Sequence, residues 1–386
     1  MTQVLQVILL WLAGLGAATQ FAKIAVPFGD VALLYPDHID SMGWMLSIIS
    51  LIGAILGAVS GAIAGRVGPS RLLFFGLMLG GAISLFQAGE PGFYIMLASR
   101  LVEGLSHLAI VVAAPTLIAQ ITTGRARNNA MVLWSTFFGV AFAVNAWLGL
   151  PLVAGFGLPA YFALHGVLMI VIAAVIAAWR IQVPPASTMM TEWGFPALMQ
   201  VHVRTYRSAF ISAPAIGWLF YTLTFVSLLA ILPGQLQDGV GDVVAGLMPL
   251  AGIALSCLVV PVLLLFASCV TVINIGFALG VLVLALAFAG LPLAITCVAL
   301  FAVLGLVQGG SFAAVPELND TAETQALSYG AIAQMGNTGN LLGTPILLVV
   351  LAGAGTAGLL LAVIAIYATA ITAHLWLSRR RSMANG

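Results

Sequence analysis

Long apolar segments separated by short polar connections run through the whole chain. A bilayer core about 30 Å thick requires roughly 20 apolar residues per helix, and segments of this kind recur twelve times. With ends uncertain by a few residues, the predicted spans lie at roughly 4–34, 42–64, 71–89, 93–121, 130–153, 159–180, 208–232, 243–266, 270–290, 292–315, 326–351 and 356–377. The pattern therefore predicts an all-α membrane protein with twelve transmembrane helices.

One long polar segment, "IQVPPASTMMTEWGFPALMQVHVRTY", interrupts this pattern near the middle of the chain. It predicts an N-terminal six-helix bundle at 1–181, a linker at 182–207 and a C-terminal six-helix bundle at 208–386. Pro115 and Pro316, like Pro151 and Pro345, are separated by close to half the chain length. This spacing indicates a duplicated six-helix unit and two pseudo-symmetric bundles, a device that transporters use.

The composition supports a membrane protein and excludes several other classes. Hydrophobic residues make up 62% of the chain, charged residues 6%, and the mean hydropathy is +1.17. A net charge of +1 gives no reason to expect a nucleic-acid partner. The three cysteines lie singly in apolar segments, so no metal site is predicted.

Arginine positions predict the orientation, because positively charged loops stay in the cytoplasm. If the N-terminus is cytoplasmic, so is the C-terminus, and ten of the twelve basic residues fall on the cytoplasmic side: Arg66, Arg71, Arg125, Arg127, Arg180, Arg204, Arg207, Arg379, Arg380 and Arg381. We therefore expect a multi-pass protein of the cell's inner (plasma) membrane. The two remaining basic residues, Lys23 and Arg100, fall inside predicted spans.

Lys23 is the only lysine of the chain, and it lies within the first span. A charged side chain at the centre of a membrane helix costs about 2.5–3.5 kcal/mol on insertion scales, so it requires a partner or a function. On a continuous helix, Gln20, Lys23, Pro27 and Asp30 would form one polar stripe.

The fourth span carries a second titratable face, formed by Arg100, Glu103 and His107. Counting residues from the ends of the two spans places Arg100 and Lys23 at about the same depth. Two interpretations stay open. Glu103 could neutralise Arg100 or Lys23 in a structural ion pair, or the two cations could attract an anion while Asp30, Glu103 or His107 provides proton coupling or charge pairing.

Further polar residues in other spans complete a candidate substrate site. Together with Lys23, Arg100 and Gln20, the predicted substrate-binding residues are Tyr221, Thr224, Gln308, Asn337 and Asn340. Amide and hydroxyl side chains also serve as contacts between membrane helices, worth about 0.6 kcal/mol each, so packing is the competing interpretation for each of them.

The loop "GAIAGRVGPSRLL" after the second span resembles the signature of the major facilitator superfamily. Gly61, Arg66, Gly68 and Arg71 match that signature, whereas Gly65 stands where the family usually has an acidic residue. The resemblance implies a cytoplasmic gate formed by this motif, a central cavity lined by spans one and four, and alternating access. "AIAQMGNTGNLLGTPI" in span eleven is similar to the cyanate and nitroimidazole type permeases.

The sequence thus predicts a secondary active transporter, which binds and translocates its substrate without a chemical reaction. The expected substrate is a small organic anion moved with protons, and the expected state is a monomer without cofactor or metal. No phosphate-binding loop or catalytic motif supports an enzyme or a primary pump. The alternative is export of a hydrophobic drug or siderophore-like compound through an aromatic cavity that contains Trp134, Trp147 and Trp218.

Overall fold

The computed structural model describes residues 2–179, 195–237 and 239–385. Nearly all of these residues are helical, and they form no β-strand. Helices satisfy every backbone hydrogen bond within one segment, which apolar surroundings demand. Arg180 and most of the predicted linker lie outside the described residues.

The first half of the chain forms eight α-helices. They are α1 Gln3–Ala25, α2 Phe28–Leu33, α3 Gly43–Val67, α4 Pro69–Gln87, α5 Phe93–Ile121, α6 Gly124–Ser135, α7 Phe137–Val144 and α8 Leu150–Trp179. A 3₁₀ segment at Pro36–Ser41 precedes α3, and a π-helical segment at Asn145–Gly149 joins α7 to α8.

A short amphipathic helix and six further helices follow. They are α9 Phe195–Arg207, α10 Ala213–Ile231, α11 Val240–Leu258, α12 Val260–Leu263, α13 Cys269–Phe288, α14 Leu293–Leu318 and α15 Ala322–Asn385, with a 3₁₀ turn at Pro233–Gln235.

Ten helical segments of the described residues are long and apolar enough to cross a membrane. Two of them are too long for one crossing: Phe137–Trp179 has 43 residues, about 65 Å at 1.5 Å per residue, and Ala322–Ala384 has 63. Gly157 (φ 79°) and Gly355 (φ 65°) interrupt them with left-handed backbone that favours glycine. Both glycines fall where the sequence pattern separates two spans. The count of twelve, the bundle boundaries and the orientation of the termini stay predictions.

The polar stripe predicted along the first span does not form as one face. Helix α1 ends at Ala25, and a turn at Val26 and Pro27 separates it from α2. Proline lacks an N–H and clashes with the preceding turn, which explains the break. Asp30 is consequently exposed in the first turn of α2, while Lys23 is buried at the end of α1.

The two halves meet where α3 packs against α15 through glycines. A Cβ atom at Gly57 would lie 2.4 Å from the backbone N of Gln334, and one at Gly61 would lie 2.2 Å from the carbonyl O of Ala326. A Cβ at Gly330 would lie 2.7 Å from the carbonyl O of Gly57. Only glycine permits this approach of two backbones.

Helix α9 lies at the end of the molecule where α3 meets α4, which also carries Arg66 and Arg71. Arg204 Nη2 lies 3.2 Å from Glu323 Oε1 of α15. Val201 packs in one apolar cluster with residues of α3 and α15. The amphipathic helix therefore contacts both halves at this end.

Candidate functional site

Helices α1 and α5 bring two cations onto one carboxylate. Lys23 Nζ lies 2.5 Å from Glu103 Oε1, and Arg100 Nη1 donates to Glu103 Oε2. All three side chains are fully buried. Both Lys23 and Arg100 thus pair with Glu103. Two cations and one ionised carboxylate leave this charge triad (Lys23, Arg100 and Glu103) with a formal charge of +1.

Backbone carbonyls and one amide fix the rest of the triad. Arg100 Nε donates to the carbonyl O of Met45 at 3.1 Å, and Nη1 also donates to the carbonyl O of Gln20 at 2.6 Å. Gln87 Nε2 donates to Glu103 Oε2 at 3.3 Å. The buried Nη2 of Arg100 has no hydrogen-bond partner. Both N–H groups of this nitrogen are therefore left over after the other three N–H groups of the guanidinium have found acceptors.

A serine and a histidine extend the triad toward α4 and α8. Lys23 Nζ donates to Ser84 Oγ at 2.6 Å, and Ser84 Oγ lies 2.8 Å from His165 Nδ1. His165 Nε2 lies 3.0 Å from the carbonyl O of Gly16. Because a carbonyl only accepts, Nε2 carries the hydrogen, and Nδ1 accepts from the Ser84 hydroxyl. Sequence reasoning missed Ser84 and His165, and polar residues in otherwise apolar spans were the available signal.

A separate, small cavity of about 60 Å³ lies between the two halves. This volume is far below the roughly 300–1,000 Å³ of small-molecule sites, so a larger solute requires the two halves to move apart. Residues of both halves line it: His107, Val111, Ser135, Phe137, Phe138, Gly139, Trp218, Tyr221, Thr222, Phe225, Val226, Gln308, Phe312, Ile332, Ala333, Gly336, Asn337 and Asn340. The position between two halves is the one that transporter folds use for substrates.

Aromatic rings form much of the cavity wall. Trp218 stacks on Tyr221 with a centroid distance of 4.6 Å, and Tyr221 stacks on Phe225 at 4.9 Å. Phe312 meets Trp218 edge to face at 4.9 Å. Such a wall favours an occupant with a flat apolar body.

A few amide groups supply the polar contacts of the cavity. Gln308 Nε2 donates to the carbonyl O of Ser135 at 2.6 Å, and Tyr221 Oη donates to Gln308 Oε1 at 3.2 Å. The Oδ1 atoms of Asn337 and Asn340 are buried without a hydrogen-bond partner. Unpaired buried acceptors are costly, so these two oxygens favour an occupant that carries O–H or N–H donors.

His107 connects the cavity with the charge triad, because it lines the cavity one helical turn after Glu103. Its Nδ1 donates to the carbonyl O of Ala17 at 3.1 Å, and Phe21 packs edge-on against its ring at 4.9 Å. Lys23 and Arg100 are not among the described residues that line the cavity. The triad therefore lies outside the cavity lining, with Glu103 one helical turn from the lining residue His107.

The other predicted site residues divide into two groups. Tyr221, Gln308, Asn337 and Asn340 line the cavity with His107, and their role in substrate binding stays a prediction. Thr224 lies elsewhere: its Oγ1 is 3.0 Å from Tyr367 Oη, inside the second half. Asp30 is exposed on α2, and Gln20 is buried beside the triad.

The predicted gate motif lies at the junction of α3 and α4. Gly61 permits the close contact with α15, and Gly68 adopts φ 93° between the two helices. Arg66 and Arg71 are exposed on either side of this turn. The backbone thus requires glycine at both positions, while the role of the arginines as a gate stays a prediction.

Comparisons with solved structures identify the fold. The human organic anion transporter MFSD10 (TETRAN) has a TM-score of 0.80 and 15% identity, covering 97% of this chain and 100% of that one. The proton:xylose symporter XylE has a TM-score of 0.75 and 13% identity, with coverages of 97% and 94%. The E. coli fucose:proton symporter FucP has a TM-score of 0.72 and 13% identity, with coverages of 99% and 99%. At such identities the likeness concerns the fold alone.

A comparison with curated proteins finds no match. The sequence profile of one family, described as Major Facilitator Superfamily, matches residues 8–344. This stretch covers most of the chain and includes the charge triad and the cavity. The chain belongs to the Major Facilitator Superfamily, a family of membrane transporters.

Proposed function

We propose that the protein is a secondary active transporter that moves an amphipathic organic anion together with protons by alternating access. The observation that carries this proposal is the cavity between the two halves, whose lining comes from both. Movement of one half against the other would open such a cavity first to one side of the membrane and then to the other, with no chemical reaction. We further propose that it acts as a monomer in the inner (plasma) membrane, with both termini in the cytoplasm.

The negative charge of the substrate is supported by the charge triad. One carboxylate offsets only one of two cations, so a formal charge of +1 lies near the cavity, one turn of α5 from the lining residue His107. In surroundings of low dielectric constant, such a charge attracts an anion far more strongly than it would in water. The similar fold of a protein described as a human organic anion transporter is consistent with this choice.

The apolar body of the substrate is supported by the aromatic wall. Trp218, Tyr221 and Phe225 form a continuous stack, and Phe312 meets it edge to face. The unpaired oxygens of the two asparagines add acceptors for a hydroxyl or amide donor. A small inorganic anion would leave both features unused.

The proposed coupling to protons is supported by the position of Glu103. Protonation of this carboxyl would raise the formal charge of the triad from +1 to +2 and so strengthen its attraction for an anion. By linkage, a bound anion would favour protonation to the same degree. Proton and anion would therefore bind together, as symport requires, and proton symporters occur among the proteins of similar fold.

One observation favours the alternative, export of a neutral hydrophobic compound. No Lys, Arg, Asp or Glu side chain is among the described residues that line the cavity. A neutral aromatic solute would be held by stacking alone and would not respond to the triad.

Flux into proteoliposomes separates the two candidates. We would compare radiolabelled hydroxynaphthalenesulfonate, a permanent anion, with the neutral hydroxynaphthalenesulfonamide. The proposal expects accumulation of the sulfonate when the outside is acidified, and a loss of about tenfold in Lys23→Met, which removes the excess charge. Arg204→Ala, at an exposed ion pair, is the control. Transport of the sulfonamide only, unaffected by Lys23→Met, would establish the alternative.

A further inference from the structure

We propose that His165 and Ser84 form a proton relay that reaches Glu103 through Lys23. This inference rests on the proposed coupling to protons and assigns the route that the proton takes. Neither residue belongs to the cavity or to the motif that the sequence shares with the family.

Glu103 is closed to direct proton entry. Its Oε1 accepts from Lys23 Nζ, and its Oε2 accepts from Arg100 Nη1 and Gln87 Nε2. The side chain is fully buried. A proton that reaches this carboxylate therefore has to arrive through one of its three donors.

Only one of these donors can transfer a proton. A carboxamide N–H is not acidic, and an arginine guanidinium stays protonated in proteins. A lysine ammonium is the group that gives up its proton when it is buried. The 2.5 Å contact between Lys23 Nζ and Glu103 Oε1 is thus the last step of the route.

The contacts of Lys23 continue in one direction. Its Nζ lies 2.6 Å from Ser84 Oγ, and Ser84 Oγ lies 2.8 Å from His165 Nδ1. A hydroxyl can accept and donate at the same time, so it can pass a proton on. An imidazole can accept a proton at one nitrogen while the other keeps its own hydrogen bond.

One proton passes from His165 to Glu103 in a series of transfers between neighbouring groups. A protonated His165 gives its Nδ1 proton to Ser84 Oγ and becomes neutral imidazole. The Ser84 hydroxyl, which points at Nδ1 while His165 is neutral, turns toward Lys23 Nζ and passes its own proton there as Lys23 gives one proton to Glu103 Oε1. Ser84 ends as a hydroxyl and Lys23 as an ammonium, so the net change is one proton moved from His165 to Glu103, with the Lys23–Glu103 ion pair converted to a neutral carboxyl beside an ammonium.

The surroundings favour His165 as the entry point. Lys23, Ser84, Arg100 and Glu103 have no exposed surface, whereas His165 keeps 5% of its own. The charged groups that face its ring are Lys23 of α1 and Arg100 and Glu103 of α5, and its Nε2–H is held by the carbonyl of Gly16 on α1. The two cations disfavour a lasting positive charge on the His165 ring, so this ring would hold a proton only transiently.

His107 is the competing entry point, since it is one turn from Glu103 and reaches the cavity. Its Nδ1, however, bonds to the carbonyl of Ala17, and the hydrogen bonds of Glu103 described above do not include it. A route through His107, whose 6% exposure is no less than that of His165, would require a further proton carrier between its ring and Glu103. The chain through Ser84 is already connected.

The test is the rate at which Glu103 takes up a proton after a rapid drop in pH. Infrared difference spectroscopy of the full-length protein in lipid follows the carboxylic C=O band, which is assigned to Glu103 by its absence in the double variant Lys23→Met/Glu103→Gln. Ser84→Ala and His165→Gln are expected to slow the rise of this band by about 100-fold, the scale of a lost proton donor. Ser84→Cys, which keeps a transferable proton in a similar volume, is expected to restore the rate.

The controls keep the result decisive. His374→Gln replaces a buried histidine of the second half that has no hydrogen-bond partner, and it should leave the rate unchanged. Rates within about twofold of the parent in both relay variants, or a loss only in His107→Gln, would overturn the relay. So would failure of the Glu103 band to rise in the parent at all.

The measurement needs no substrate, so its outcome is independent of the transport assay. If the parent fails to move the sulfonate, the proposed function is wrong while the infrared rates still report on the relay. If transport is proton-driven but the rates are unaffected, only the relay is wrong. Exchange of sulfonate across the membrane without net proton movement should persist in Ser84→Ala, which a merely structural defect would not allow.

Discussion

Replacing Glu103 by glutamine tests whether charge balance governs the buried triad. The change keeps the shape of the side chain but leaves Lys23 and Arg100 as two buried cations with a formal charge of +2 in place of +1. The glutamine oxygen can accept from only one of the two cations, so one charge-assisted hydrogen bond, worth about 1.5–3 kcal/mol, is lost outright. With the two cations left without a counter-charge, the total loss should approach the roughly 3–5 kcal/mol expected when one partner of a buried ion pair is removed.

The loss of unfolding free energy in Glu103→Gln is to be compared with that in two further variants. Lys23→Met leaves the pair of Arg100 and Glu103, with a formal charge of zero, and should destabilise less than Glu103→Gln. The double variant Lys23→Met/Glu103→Gln returns the formal charge to +1 and should recover a large part of the lost free energy, because no pair of cations remains.

Unfolding by sodium dodecyl sulfate in mixed micelles measures these free energies, with loss of helical circular dichroism as the signal. The reasoning is refuted if Glu103→Gln unfolds at the same free energy as the parent, or if the double variant is no more stable than the single one. Either outcome would mean that the triad is solvated or neutral in the folded protein, and the anion argument would lose its basis.

Two other variants test packing and the cavity. Gly57→Val places a Cβ 2.4 Å from the backbone N of Gln334 and should lower the unfolding free energy by about 1–3 kcal/mol. Gly155→Val, where the nearby space is open, should lower it by less than about 0.5 kcal/mol. Equal effects of the two variants would contradict the close contact of the halves. Trp218→Ala removes the stacked wall and should weaken binding of hydroxynaphthalenesulfonate about tenfold in a thermal-shift titration. Trp147→Ala, at an exposed tryptophan, should leave the affinity unchanged. An unchanged affinity in Trp218→Ala would show that the aromatic wall is not part of the site.

The sequence predicted helices well because a bilayer imposes a length on every apolar segment. Gly157 and Gly355 break the two longest helices where the pattern separates spans. It also predicted that Arg100, Glu103 and His107 share a face, since spacing alone decides neighbours on one helix. The continuous stripe from Gln20 to Asp30 was wrong, because Pro27 ends the helix and turns Asp30 outward.

Contacts between helices were beyond the reach of spacing. Ser84 and His165 lie 81 residues apart and are brought together only by the packing of α4 against α8. Phe137 and Phe138 look in the sequence like any other apolar residue of a span, although they line the cavity. Thr224 shows the converse: its hydroxyl suggested a site, but its partner Tyr367 is on another helix of the same half.

Helix α5 links the two parts of the proposed mechanism. It carries Glu103, where protonation would change the charge of the triad, and His107, which faces the cavity one turn later. Because Glu103 is bonded to Lys23 on α1 as well, any change at this carboxyl acts on two helices of the first half at once. A proton at Glu103 and an anion in the cavity would then favour each other through charge alone, even though no side chain of the triad touches the cavity. Binding and coupling can in this way be separated by mutation: cavity variants should change affinity, and relay variants should change the rate of protonation.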